Sequence, residues 1–415
     1  GKNHHVDGSF CSHLSEITLA TPTGTVVVSK TADPDLFWAT AGGMGLTGVV
    51  IDATLQLIPV ETSYIMVDTE RAPDLDAAMD LMVTGDDAYR YSVAWIDCQS
   101  SGRRLGRSVL TRGDHAPLAA LPEPLRRDPG RARAFAPRTL ARVPLTPPSG
   151  LLNPVTVGAF NEFWFRKAPR HQIGRPVHLA GFFHPLDGVG EWNRLYGTRG
   201  FLQYQLVVPD EQGETIRRVI ERLSRLRLAS FLAVLKRFGP CNPGPLSFPA
   251  PGWTLALDLP VGHGALPDLL DELDHQISDA GGRIYLAKDS RVSPTAFRHM
   301  YPRLDEWLAV RERVDPDGVM QSDLGRRLGL CHPTRPTRPA PVGEAKSTAA
   351  RPKRAASKQA GTKQKAGSKQ AGSKQKAGSG QAGSKKTGPT GTAPEEATTP
   401  GARPRVEPRT GRTRT

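Results

Sequence analysis

Apolar and polar residues alternate through Glu16–Ala20 and again through Thr25–Ser29, and Thr21-Pro22-Thr23-Gly24 joins the two runs. Alternation with period two predicts half-buried strands, and the Pro/Gly-bearing link predicts a hairpin. Pro34–Ala39 predicts a helical turn and Val49–Ile58 a strand. Further along, strands are predicted at Tyr64–Thr69, Tyr91–Asp97, Ser108–Thr111, Glu162–Arg166, Leu202–Val208, Phe231–Lys236, Trp253–Asp258 and Arg283–Leu286. Apolar residues at helical spacing predict helices at Leu75–Met82, Asp210–Arg227 and Leu266–Ala280, and a helical stretch over 295–328 that carries Trp307, Leu308, Val310 and Val314. The pattern describes an α+β chain: a small strand-rich region, then an antiparallel sheet with flanking helices.

Two stretches fall outside this pattern. Arg112–Leu152 is rich in Pro and Arg, with 7 basic and 3 acidic residues and little periodicity, which predicts a lid or a surface insertion. From Cys331 onward there is no Phe, Trp or Tyr, and SKQAGTKQKAG at 357–367 repeats as SKQAGSKQKAG at 368–378. Such a segment buries too little apolar area to offset its ordering entropy, so residues 331–415 are predicted to be a disordered tail.

Charge then changes the picture. The chain of 415 residues carries a formal net charge of +14, but residues 331–415 alone hold 19 basic and 4 acidic residues. The first 330 residues are nearly neutral, which excludes a generally basic nucleic-acid-binding core. Without aromatic residues for base stacking, the tail would bind polyanions through charge alone. Cys11, Cys98, Cys241 and Cys331 are scattered and predict neither a disulfide framework nor a cysteine metal site. No apolar run is long enough to span a bilayer. The chain opens on Gly1-Lys2-Asn3-His4-His5 without an initiator Met, which predicts a start further upstream.

Several constellations carry possible chemistry. Gly43-Met44-Gly45-Leu46-Thr47-Gly48 matches GxGxxG, but a helix precedes it and a strand follows. That is the reverse of the nucleotide-binding order, leaving a tight glycine turn or a close approach to a flat ligand. His4 and His5 are adjacent and would point to opposite faces of a strand, and neither they nor His13 have an acidic partner at ligand spacing, so no metal site is predicted. Gln203 and Gln205 share one face of a strand, a placement that suits a polar ligand. Trp95 sits mid-strand and reads as core or as a pocket wall. Ala287-Lys288-Asp289-Ser290-Arg291 follows a strand and reads either as a solvated turn, with Lys288 paired to Asp289, or as a turn that delivers Lys288 into a pocket.

Six strings, taken in order, resemble a known family. They are GKNHHxxGSF at Gly1–Phe10, DLFWATxGGxGLTG at Asp35–Gly48, EWNRxYGxxGFLQYQ at Glu191–Gln205, GPLSFPxPGW at Gly244–Trp253, LAKDSR at Leu286–Arg291 and YPRLDEW at Tyr301–Trp307. Together they resemble the flavoprotein oxidases acting on decaprenylphosphoryl-β-D-ribose, within the vanillyl-alcohol-oxidase-like FAD superfamily. The resemblance implies a PCMH-type FAD-binding domain whose first lobe lies upstream, so that residues 1–60 form the second lobe. Residues 61–291 would be the substrate domain, with 112–152 as a lid-like loop, and 292–330 a helical segment returning to the FAD domain. The implied reaction is FAD-dependent oxidation of the sugar 2′-hydroxyl to a ketone, the first half of an epimerisation that supplies the arabinose donor for cell-wall arabinan. A short-chain reductase would be the partner that completes it.

The resemblance also assigns residues. Lys2, His4, Thr47, Gly48, Val50 and Tyr285 would bind a noncovalent FAD. Trp95, Gln203, Gln205, Thr254, Ala256 and Lys288 would line the sugar pocket, with Lys288 the catalytic residue that polarises the substrate hydroxyl. Thr254 and Ala256 depart from the Asn and Cys common in the family, which bears on substrate contacts and not on flavin chemistry. The lipid substrate implies a protein peripheral to the cytoplasmic membrane or cell envelope. Two alternatives stay open: an FAD-dependent oxidase of a soluble sugar, alditol or aldonolactone, and a noncatalytic remnant with a polycationic binding tail.

Overall fold

The computed structural model describes residues 3–137, 139–228, 230 and 232–331. The repeat-bearing tail from His332 onward, Lys2 and Phe231 lie outside the described residues. In chain order the strands are β1 (Leu14–Thr21), β2 (Gly24–Ser29), β3 (Val49–Leu55), β4 (Tyr64–Ala72), β5 (Tyr91–Ile96), β6 (Ser108–His115), β7 (Ala141–Arg142), β8 (His171–His178), β9 (Val189–Gly190), β10 (Phe201–Val208), β11 (Ala233–Phe238), β12 (Gly252–Pro260) and β13 (Arg283–Ile284). The helices are α1 (Pro34–Thr40), α2 (Leu75–Gly85), α3 (Glu123–Arg126), α4 (Pro129–Arg133), α5 (Pro154–Lys167), α6 (Leu179–Phe183), α7 (Gly213–Arg225), α8 (Leu266–Asp279), α9 (Pro294–Met300), α10 (Leu304–Val314) and α11 (Asp323–Arg327).

The predicted hairpin forms as β1–β2, and β3 pairs with the other side of β1 to give a three-stranded antiparallel sheet. Gly48 leads into β3 at φ +147°, and a Cβ there would lie 2.9 Å from the Ala20 carbonyl oxygen, so only glycine lets the strand enter this closely. The larger sheet has eight strands in the order β13-β10-β12-β11-β5-β6-β4-β8, with antiparallel pairing throughout. One face is apolar. Ala94, Ile96, Leu206, Leu235, Leu255 and Leu257 are buried there in the same core as Ile216, Val219, Ile220 and Leu223 of α7 and Leu269, Leu270, Leu273 and Ile277 of α8. Both helices repeat their apolar residues at three- and four-residue spacing, the pattern that places one stripe against a sheet.

The structure corrects several predicted elements. Glu162–Arg166, predicted as a strand for its aromatic residues, lies inside helix α5. Asn153 caps that helix by accepting from the Val155 and Thr156 amides, Thr156 returns a bond to the cap, and Pro154 occupies the first turn. These N-terminal signals outweigh strand propensity. The strand β8 went unpredicted because Gly174 and Pro176 interrupt its pattern. The stretch 112–152 has structure of its own. Residues 112–115 complete β6, and Leu121 of the following turn and Ala132 of α4 are buried with Ala116. The helical stretch at 295–328 divides into α9, α10 and α11.

Candidate active site

Side chains on a strand alternate between faces, so register alone decides which residues meet. Gln205 pairs with Ala256, Ala256 with Val234, and Val234 with Trp95. One step along, Gln203 pairs with Asp258; one step the other way, Val207 pairs with Thr254 and Thr254 with Lys236. The five strand residues expected to meet substrate, Trp95, Gln203, Gln205, Thr254 and Ala256, therefore share the sheet face opposite the helices. Their polar atoms are tied together. Gln203 Nε2 donates to Asp258 Oδ1 at 2.9 Å, Gln205 Nε2 donates to Thr254 Oγ1 at 3.1 Å, and Thr254 Oγ1 donates to the Leu206 carbonyl at 2.8 Å. Gln205, Thr254 and Asp258 are buried, so each bond replaces one lost to water.

Lys288 reaches this neighbourhood through a break in β13. The Tyr285 amide still bonds the Gln205 carbonyl at 2.9 Å, and a 3-10 turn over Leu286–Lys288 then closes with the Lys288 amide on the Tyr285 carbonyl at 3.0 Å. Asp289 has other partners. Its carboxylate accepts from the Arg291 and Val292 amides, both at 2.9 Å, and from Arg327 at 2.6 Å. The Lys288 charge also acts on Asp258, drawing its carboxyl down; burial is the larger influence and leaves that carboxyl above the ordinary range.

Asp258 and Lys236 share this polar face, and the sequence reading does not single them out. Both lie at even spacing from residues already singled out, Asp258 two after Ala256 and Lys236 two after Val234, so counting by two along each strand finds them. The Lys236 ammonium reaches the Asn3 carbonyl at 3.5 Å, linking this face to the start of the described chain.

Beside the polar face lies a cavity of about 480 Å³. Phe238, Phe248 and Tyr285 give it aromatic walls, with Phe248 and Tyr285 ring centroids 4.6 Å apart. Burial pushes the Tyr285 hydroxyl pKa up. Asn3 also lines the cavity; it is 4% exposed, and neither polar atom of its amide has a hydrogen-bond partner among the described residues. Of the described residues assigned to the cofactor, Tyr285 lines this cavity, whereas His4, Thr47, Gly48 and Val50 do not; Lys2 lies outside the described residues. His4 is buried with its ring edge-on to Tyr91 at 5.0 Å. Thr47 is buried with its hydroxyl 3.0 Å from that of Thr40. Gly48 packs on β1, and Val50 is exposed on β3. The glycine loop follows α1 and precedes β3, the order that sets it apart from a nucleotide-binding turn.

Comparison with known proteins gives these positions a context. The family model for D-arabinono-1,4-lactone oxidase matches residues 266–328, which span α8 to α11 and include Lys288. Decaprenylphosphoryl-beta-D-ribose oxidase of Mycolicibacterium smegmatis is 45% identical over 333 residues, 80% of this chain and 71% of that protein. A Streptomyces coelicolor protein, described as the uncharacterized protein in the mprA 5′ region, is 42% identical over 334 residues, 80% of this chain and 90% of its own length. Among solved structures, xylooligosaccharide oxidase from Myceliophthora thermophila C1 in complex with xylobiose aligns with a TM-score of 0.48 at 13% identity. That alignment covers 74% of this chain and 64% of the other, so the chain spans less than two thirds of the xylooligosaccharide oxidase. At 45% identity over most of its length, the chain belongs to the decaprenylphosphoryl-β-D-ribose oxidase family of flavin-dependent oxidoreductases.

Proposed function

We propose that this chain oxidises the 2′-hydroxyl of decaprenylphosphoryl-β-D-ribose to a ketone with a noncovalently bound FAD. The observation that carries this reading is the single polar sheet face that joins Trp95, Gln203, Gln205 and Asp258, with Lys288 acting on Asp258 and the Tyr285 cavity alongside. A flavin ring is flat and has a polar edge. Aromatic walls suit its plane, and the orphaned Asn3 amide offers one donor and one acceptor to its edge. Asn3 and Tyr285 would hold it there. Bound flavin supplies the hydride acceptor, and the protein supplies orientation and electrostatics.

Gln203 and Gln205 present amides that fix the ribose hydroxyls, and Trp95 provides a flat apolar wall for the ring. Lys288 polarises the reacting hydroxyl. Asp258, buried and electrostatically coupled to Lys288, sets how readily that end of the site gives or takes a proton. Lys236 adds a second positive charge to the same face and suits the substrate phosphate. Thr254 and Ala256 replace the family's usual Asn and Cys, which leaves a smaller and less polar pocket floor. In this reading residues 1–60 belong to the FAD domain, 61–291 to the substrate domain, and 292–330 return to the FAD domain. A reductase of the short-chain type would take the keto sugar.

No helix among the described residues is long and apolar enough to cross a membrane. A lipid-linked substrate therefore calls for peripheral contact with a bilayer. A second reading, oxidation of a soluble sugar lactone, is favoured by the family match over residues 266–328. Stopped-flow absorbance of flavin-loaded protein separates the two. Rapid bleaching by a short-chain polyprenyl-phosphoryl ribose is the expected result; bleaching by arabinono-lactone and not by the phosphoryl ribose would establish the second reading.

A further inference from the structure

Helix α5 is amphipathic in the wrong sense for a helix at a water-facing surface. Its inward residues include Asn161, which is 0% exposed and donates to Asp97 Oδ1 at 2.8 Å, and Glu162, which takes Arg107 at 2.6 Å. Arg107 also bonds Asp97 at 3.0 Å, so the helix is moored by a buried polar network. Phe165 lies under the guanidinium groups of Arg71 and Arg107, 5.3 and 4.9 Å from its ring centre. The outward residues are Phe160, Phe163 and Trp164, at 38%, 59% and 39% exposure. They fall at i, i+3 and i+4, with Lys167 completing the stripe at i+7. Phe160 and Trp164 stack with ring planes 17° apart, and Lys167 Nζ lies 5.6 and 5.9 Å from the centres of Phe163 and Trp164. Arg166 and Arg170 are exposed beside the stripe.

We propose that this outward face of α5 docks on an anionic lipid bilayer. An aromatic stripe rimmed by Lys and Arg matches the water–lipid interface in both parts: the rings enter the headgroup region and the cations meet lipid phosphates. Placement fits as well. β5 and β12 end, and β10 and β11 begin, at one end of the sheet, where Gln203 pairs with Asp258. Asp97, the residue that anchors α5, directly follows β5 at that same end. A lipid-linked sugar seated on Gln203 and Gln205 would thus have the docking helix beside its exit. In its purpose this inference rests on the polyprenyl-phosphate reading above; its test does not.

The test uses the full chain, with phosphatidylglycerol/phosphatidylcholine vesicles brominated on their acyl chains and no sugar substrate. The Lys/Arg-rich residues beyond 331 bring their own attraction to anionic vesicles, so total binding is a poor readout. That segment holds no Trp, and the chain has six, so acyl-chain quenching of tryptophan reports insertion. Wild type is expected to be quenched, Trp164→Phe to lose most of the quenching while still binding, and Phe160→Ser with Phe163→Ser to bind about tenfold or more weakly in high salt, as loss of two buried rings requires. An unchanged melting temperature shows that these surface variants fold. Absent quenching, or equal quenching in Trp164→Phe, would overturn the proposal. So would a concentration-dependent dimer abolished by Phe163→Ser, which would give the face to a second copy of the chain. Flavin bleaching by soluble short-chain substrate is read separately and stays unchanged in these variants, so failure here is distinct from failure of the oxidase reading.

Discussion

The two faces of the eight-stranded sheet are made by the same strands and have opposite contents. One carries Leu206, Leu235, Leu255 and Leu257 against α7 and α8. The other carries Gln203, Gln205, Thr254, Asp258 and Lys236, with Gln203 bonded to Asp258, Gln205 to Thr254 and Lys236 to the Asn3 carbonyl. Neighbouring residues thus face different ways: Leu255 packs in the core while Thr254 and Ala256 face the proposed site. On that proposal stability and chemistry are separated by parity along a strand, and substitutions one residue apart should fail in different ways.

The largest effect is expected at Lys288. Lys288→Ala should slow flavin reduction by about 10²–10⁴-fold, the range for a positioned proton-transfer or electrostatic group, with flavin content retained. Stopped-flow bleaching measures the first and absorbance after gel filtration the second; a wild-type rate would remove Lys288 from the chemistry. On the other face, Leu235→Ala should cost about 2–5 kcal/mol in urea unfolding, because removing a fully buried leucine leaves a cavity between the sheet and its helices. If Leu235→Ala slowed the rate constant of reduction as much as Lys288→Ala while stability held, the separation of faces would be broken.

Gln205→Ala is predicted to be milder. It removes one buried hydrogen bond to Thr254 and one amide offered to the sugar, and should lower kcat/KM about tenfold, equivalent to about 1.4 kcal/mol. The smallest effect concerns pH. Burial raises the Asp258 carboxyl above the ordinary range, so the folded state holds a proton that the unfolded chain releases. Its contribution to stability is present at pH below the ordinary carboxylate value and is lost as pH rises through the raised one. Melting curves from acid to mildly alkaline pH should show Asp258→Asn gaining on wild type as pH rises. A constant difference would mean that the Asp258 carboxyl titrates alike in both states.

Much of this division was legible before any coordinates. The alternation in Leu202–Val208 and Trp253–Asp258 predicts both strands, and placing Gln203 and Gln205 on one face follows from period two alone. What alternation cannot supply is which strands are neighbours, since pairing between residues 205, 256, 234 and 95 depends on long connections. Hence the spacing of Asp258 and Lys236 does not by itself mark them as neighbours of Gln203 and Thr254. The strand expectation at Glu162–Arg166 fails for a physical reason: strand propensity describes residues that fit a half-buried sheet, and here a capped helix turns Phe163 and Trp164 outward instead. Tyr285 lines the cavity, whereas Thr47 and Val50 do not, a difference in placement that motif matching alone could not supply.

The Asp289–Arg327 ion pair sets an order of assembly. The two residues are 38 apart, and Arg327 also bonds the Val292 carbonyl. As the chain leaves the ribosome, strands β4 to β12 are complete long before α11 emerges. Until Arg327 arrives, Asp289 lacks this counter-charge and keeps its bonds from the Arg291 and Val292 amides, so the turn that carries Lys288 is less firmly held. Lys288, the proposed catalytic residue, is therefore the last part of the proposed site to gain its full support, and a nascent chain stalled before residue 327 would have a folded sheet and a loosely held Lys288 turn.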